Sequence, residues 1–303
     1  MKAPSKILIA YDGSACSDAA LQDLRRAGLP PDADVVVLTV ADVIVPPPDE
    51  ELPGQPAVRI PEFERHTRET REKAVKEARA LAERAAGLVK DEFPSWRVKA
   101  EVDCDSPPLA LIKMADRLQA DLIVVGSHRH AVAGGRLILG STSQRVLYDA
   151  GCSVRVARCS SGRREGPVRI IVGFSGTPDA EEAVAAVAAR AWPEGSEARI
   201  VTAGRGPGRD STSGAAERLR ATGLSVSEFV REGDPAHVLI AEAEGWDADS
   251  IFVGTRGLHG FQHLLHGSVA SAVAGRAQCS VEVARAARLA APDESKGEYT
   301  HAG

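Results

Sequence analysis

The sequence has no surplus of positive charge: 37 Lys and Arg stand against 42 Asp and Glu, for a formal net charge of -5. Nucleic-acid backbones are neutralised by clustered Lys and Arg, so this balance excludes a general nucleic-acid binder. Long apolar runs are missing as well. No segment offers about 18 uninterrupted apolar residues, so no membrane span is expected. The opening MKAPSKILIA enters a strand-like run without a signal-peptide core or cleavage site, and the expectation is a cytoplasmic protein. Cysteine is scarce. Cys16, Cys104, Cys152, Cys159 and Cys279 form no C-x-x-C pair. An odd, scattered set fits buried thiols in a reducing compartment, not a zinc or disulfide framework.

What the sequence does contain is a repeat. At 303 residues the chain is about twice a common domain length of roughly 150. The segment DSPPLALIKMADRLQADLIVVGS from Asp105 lies over GDPAHVLIAEAEGWDADSIFVGT from Gly233 without a gap. GSTSQRVLYDAGCSVRVAR from Gly140 lies over GSVASAVAGRAQCSVEVAR from Gly267, and both end in C-S-V-x-V-A-R. KILIAYDGSACSDAAL from Lys6 answers RIIVGFSGTPDAEEAV from Arg169. The expected division is a first domain over 1–160 with a Pro-rich insertion at 46–61, a polar linker at 161–167, a second domain over 168–290 and a disordered tail at 291–303.

In the first copy, ILIAY, VVVLTV, VKAEV, DLIVV and SVRVA are short, β-branched and nearly continuous, as strands covered on both faces are. Helical patterns alternate with them at Ala15 to Ala27, Glu62 to Lys90, Leu109 to Leu118 and Thr142 to Tyr148. The second copy repeats the scheme with IIVGF, ARIVTA, VSEFV, SIFVG and SVEVA. Alternating strand and helix predicts an α/β fold of two tandem Rossmann-like units, each a five-stranded parallel sheet with helices on both faces.

Ligands of such sheets bind beyond the carboxyl ends of the strands. Glycines stand at two of these ends: Asp12-Gly13-Ser14 and Ser175-Gly176-Thr177 after the first strand, and Gly126 and Gly254 after the fourth. In the second copy, Gly254, Gly257, Gly267 and Ser268 have the spacing G-x-x-G-x9-G-S. Glycine lets backbone approach a phosphate, and Gly267-Ser268 opens a helix whose amides attract anions.

With these features together, both copies resemble universal stress protein domains, and the chain resembles the tandem form of that family. The I-L-I-A-Y-D-G-S start, the G-D-P-A turn at Gly233 to Ala236, the spaced glycines and the C-S-V ending carry the likeness. The resemblance implies strand order 3-2-1-4-5 and ATP, with or without Mg, held between the first and fourth strand loops. It implies a site in the second domain at Gly173, Phe174, Ser175, Ala203, Val253, Gly254, Thr255, Arg256, Gly257, Gly267, Ser268, Val269 and Ala270. In the first domain it implies Ala10, Tyr11, Asp12, Val40, Gly126, Ser127, His128, Arg129, Gly140, Ser141, Thr142 and Ser143, with Asp12 toward the adenosine and Val40 toward the adenine.

Neither copy keeps the whole pattern. Arg129 stands where the first copy should have its second glycine, and Ser175 stands where the second copy should have Asp12. The second copy, with its loop intact, is the preferred ATP site. His259, His263 and His266 share a helical spacing, but no carboxylate or cysteine completes a metal site. SGTPDA from Ser175 is faintly similar to the S-G-G-x-D-S loop of ATP pyrophosphatases but lacks its second glycine and final serine.

The leading expectation is therefore an adenine-nucleotide-binding stress protein with no dedicated catalytic residues, at most slow hydrolysis or autophosphorylation, and no metal site of its own. A nucleotide-independent scaffold reaching an unknown protein partner through its Pro-rich loop is the alternative, with a pyrophosphatase-like enzyme behind it. SVRVA and SVEVA are expected to pair as sheet edges, giving an internal pseudo-dimer that is open to further homodimerisation.

Overall fold

A computed structural model describes residues 5–41, 61–127, 130–132, 136–158, 166–204, 209–255 and 268–286. At 61–67, 130–132, 136–138, 209–211 and 268 the backbone course alone is described. The Pro-rich stretch, the linker from 161 to 165 and the tail lie outside these residues.

The first half runs β1 (Ser5–Ala10), α1 (Ala15–Asp23), β2 (Ala33–Val40), α2 (Pro61–Glu92), β3 (Arg97–Asp103), α3 (Pro107–Leu118) and β4 (Leu122–Gly126). A short hairpin of β5 (His130–Val132) and β6 (Arg136–Ile138) follows, then α4 (Ser141–Asp149) and β7 (Ser153–Ala157). The second half runs β8 (Arg169–Gly173), α5 (Pro178–Ala188), β9 (Glu197–Ala203), α6 (Arg209–Arg220), β10 (Ser225–Arg231), α7 (Pro235–Trp246), β11 (Ser250–Gly254), α8 (Ser268–Arg276) and β12 (Ser280–Ala284).

Local chemistry sets several of these boundaries. Ser14 caps α1 by accepting from the Ser17 amide, Thr177 caps α5 through the Ala180 amide, and Asp234 caps α7 through the His237 amide. α3 and α7 each end on a left-handed residue, Gln119 and Asp247, at φ 51° and 55°. Their identical ends at matched positions are the repeat written in backbone geometry. On α2, Ala78, Ala82, Ala85 and Val89 are buried at helical spacing, while its other faces carry charge, so it lies on the sheet along one narrow apolar stripe.

Within each half the strands are parallel and follow the order 3-2-1-4-5, as β3-β2-β1-β4-β7 and as β10-β9-β8-β11-β12. The crossovers are the helices. The last strands then pair antiparallel, Val281 with Val156, Glu282 with Arg155 and Val283 with Val154, so one ten-stranded sheet spans both halves. Carboxyl ends of the strands consequently point in opposite directions in the two halves.

Three apolar clusters fill the layers. One runs under both halves, joining Leu8, Ile123 and Val154 to Ile171, Ile251 and Val281 beneath α3, α4, α7 and α8. The opposite face is split into a cluster around Ile9, Val37 and Val124 in the first half and one around Ile170, Ile200 and Phe252 in the second. No described helix is long and apolar enough to cross a membrane.

Candidate nucleotide site

In both halves the end of the fourth strand lies against the opening turn of the helix that follows the first strand. The Tyr11 amide donates to the Leu38 carbonyl and the Phe174 amide to the Val201 carbonyl, both at 3.0 Å, so each first strand ends in register with its neighbour. The chain then turns at Gly13 and Gly176, at φ 76° and 70°, a region a side chain resists. Asp12 Oδ1 accepts from the Ser14 amide at 3.0 Å, which closes the turn and leaves the carboxylate exposed at the strand end. Ser175, at the matched position, bonds Thr177 Oγ1 at 3.0 Å.

The fourth strand ends hard against the helix that follows the first. A Cβ on Gly126 would stand 2.5 Å from the Cys16 carbonyl oxygen, and one on Gly254 would stand 1.8 Å from that of Asp179. These two glycines therefore serve close packing, whatever else they do. Ser127 and Thr255 next turn their amides back to Ala157 and Ala284 of the last strands, at 3.2 and 3.3 Å. Those amides are committed to the protein and not to a ligand.

α4 opens differently from α1 and α3 at this end of the first half. α1 is closed by a side-chain cap, and α3 opens on Pro107 and Pro108, which have no N–H to give. α4 opens on Gly140, which has no side chain, and no side-chain oxygen caps it. Ser143 Oγ donates to the Gly126 carbonyl at 2.7 Å and ties this opening turn to the strand end. The first-turn amides of Ser141, Thr142 and Ser143 and the positive end of the helix dipole therefore stand at an opening without a side-chain cap, tied to the strand end at Gly126.

Of the expected residues in the first half, Tyr11, Ser127 and Ser143 are buried, Asp12 and Ser141 are exposed, and Ala10, Val40, Gly126, Gly140 and Thr142 are half-buried. In the second half Phe174, Val253 and Ala270 are buried in the core. Ser175 is exposed, whereas Gly173, Ala203, Gly254, Thr255 and Val269 are half-buried. His128 and Arg129, and the stretch from Arg256 to Gly267 with its glycine spacing and histidines, lie outside the described residues. Among the described residues no group of His, Cys, Asp and Glu has metal-site geometry.

Two titratable groups stand out. The Tyr11 hydroxyl donates to Asp18 Oδ1 at 2.6 Å, and burial first, then this bond, pushes the phenol from 10.0 up to about 12. Burial pushes the Cys279 thiol from 9.0 to about 12, which makes it a packing group and not a thiolate.

Sequence reasoning missed the backbone of Cys16 and Asp179 as the reason for two glycines, because a close approach of main chains leaves no residue signature. It also missed the β5–β6 hairpin.

The sequence profile of the universal stress protein family matches residues 4–158 and 179–285. A universal stress protein of Mycolicibacterium smegmatis is 30% identical over 92% of this chain and 96% of its own, and one of Mycobacterium tuberculosis is 30% identical over the same shares. The fold is similar to that of a universal stress protein from Archaeoglobus fulgidus, with a TM-score of 0.66 and 20% identity over 92% of this chain and 98% of that one. A second similar structure, from Pseudomonas aeruginosa, has a TM-score of 0.54 and 16% identity over 93% of each chain. With the same phrases repeated in both halves and the profile matching each, this chain belongs to the universal stress protein family, in its tandem form.

Proposed function

We propose that the protein binds adenine nucleotide, ATP with or without Mg, as a structural or signalling ligand of a stress response, and that it has no dedicated catalytic residues. The carrying observation is the opening of α4. Gly140 leaves the first-turn amides without a side-chain cap, while Ser143 fixes that turn to the strand end beside Gly126. Asp12 on the adjoining turn is an acceptor for ribose or adenine donors, and half-buried Val40 offers an apolar contact for the base. In the second half, the G-x-x-G-x9-G-S spacing supports a more complete phosphate loop, and we take that half as the preferred site.

The scaffold reading has one observation in its favour. Gly126 and Gly254 are required by packing alone, so their presence does not need a nucleotide.

The two readings part in a ligand-release and melting experiment. Mass analysis of freshly purified protein should reveal bound adenine nucleotide. Added ATP should raise the melting temperature, with about 2.7 kcal/mol of stabilisation at a hundredfold excess over Kd. Gly140→Asp tests the first half: the new carboxylate caps α4, which preserves or improves folding, and repels phosphate. Gly257→Arg and Gly267→Val test the second. Protein that carries no nucleotide and shows no ATP-dependent rise would sink the binding reading.

A further inference from the structure

The seam between the halves combines symmetric hydrogen bonds with asymmetric charges. The Arg158 amide donates to Ser280 Oγ at 3.0 Å, and the Arg285 amide donates to Ser153 Oγ at 3.1 Å. The Arg158 guanidinium donates to the Ala274 carbonyl, and the Arg285 guanidinium to the Leu147 carbonyl. Each of these residues has its counterpart at the matched position of the other repeat. Two first halves, or two second halves, would make the same bonds, so this set fixes geometry without choosing a partner.

At the centre of the seam the symmetry fails. Arg155 and Glu282 are matched positions that face each other directly in register, with side chains 0% and 1% exposed and Nη1 to Oε2 at 3.4 Å. Behind Arg155, Asp23 accepts from its Nε and Nη2 at 2.5 and 3.1 Å, whereas the matched position in the second half is Ala186. Behind Glu282, Arg190 donates to it and to the Ala27 carbonyl, and Ala27 is the residue matched to Arg190. The row therefore reads Asp23, Arg155, Glu282, Arg190, alternating in sign through the interior. Two first halves would bring Arg155 against Arg155, and two second halves Glu282 against Glu282, both out of reach of water. Like charges pressed together at low dielectric are strongly unfavourable.

We propose that this row is a pairing code: the seam face of each half accepts the face of the opposite half and rejects a second copy of its own kind. Repetition supplies a self-complementary surface, and three divergent position pairs remove the self-pairing. The two halves of one chain are thereby committed to each other.

The test uses the full chain and three sets of substitutions. Ala186→Asp, Arg190→Ala and Glu282→Arg give the second half the seam face of the first. Asp23→Ala, Ala27→Arg and Arg155→Glu do the reverse. All six together transpose the code and restore opposite faces. Hydrogen exchange of the β7 and β12 amides, with the urea midpoint, reads the seam. Each triple set should speed that exchange about a hundredfold or prevent folding, as expected for like charges facing each other out of reach of water. The six-substitution chain should fold and return to within about tenfold of the parent. Triple sets that leave exchange unchanged, or a six-substitution chain no better than either triple, would overturn the proposal.

Discussion

Replacing Gly254 by alanine separates two reasons for a glycine at the end of the fourth strand. The added methyl would lie 1.8 Å from the Asp179 carbonyl oxygen, 2.3 Å from its carbon and 3.0 Å from the Ala180 nitrogen. All three atoms are backbone of the opening turn of α5, which Thr177 caps and Phe252, Ala183 and Val184 pin to the sheet, so none can swing aside as a side-chain tip would. Strand and helix must separate locally, and overpacking of this kind costs about 1–3 kcal/mol. In a unit of this size that lowers the melting temperature by about 2–4 °C for each kcal/mol. Gly126→Ala meets the Cys16 carbonyl at 2.5 Å and should cost less. Gly87→Ala on α2, where nothing lies within 4 Å of the new carbon, should instead stabilise by about 0.5–1 kcal/mol. Melting curves of the three purified variants without added nucleotide give the order directly. A Gly254→Ala protein that melts with the parent would refute the packing account and return that glycine to ligand binding alone.

Other consequences follow from the buried groups. Tyr11 holds its proton more tightly folded than unfolded, so its contribution to stability is complete below pH 10 and lost as pH rises through about 12; Tyr11→Phe should remove that part of the alkaline slope in a pH series of urea midpoints. Cys279 has the same sign from a lower start, so Cys279→Ala should flatten the slope from pH 9 upward, and the native thiol should resist iodoacetamide at neutral pH. Phe252, fully buried and lying under the guanidiniums of Arg155 and Arg190 at 6.0 and 5.3 Å, should cost about 3–5 kcal/mol as Phe252→Ala in calorimetry.

The doubled architecture was legible in the sequence because strands covered on both faces leave continuous β-branched runs, and the matched phrases gave their order. Helix starts lie close to expectation: α1 begins at the expected Ala15, where Ser14 caps it, and α4 begins one residue before the expected Thr142. The pairing of SVRVA with SVEVA was expected too, and the structure places it at the centre of the sheet. What stayed hidden was the burial of the charges on those strands. Arg155 is a lone charge within an apolar strand, and nothing local says that Asp23, 132 residues earlier, and Glu282, 127 residues later, will neutralise it. The role of Gly126 and Gly254 was half legible. Their places at strand ends were plain from spacing, but a glycine needed for main-chain approach and one needed for a phosphate look alike in a sequence.

Because β12 runs against β7, the strand ends that carry the candidate pockets emerge on opposite rims of the continuous sheet. A rigid body docked along one rim would therefore cover the strand ends of one half and leave those of the other facing solvent on the far side.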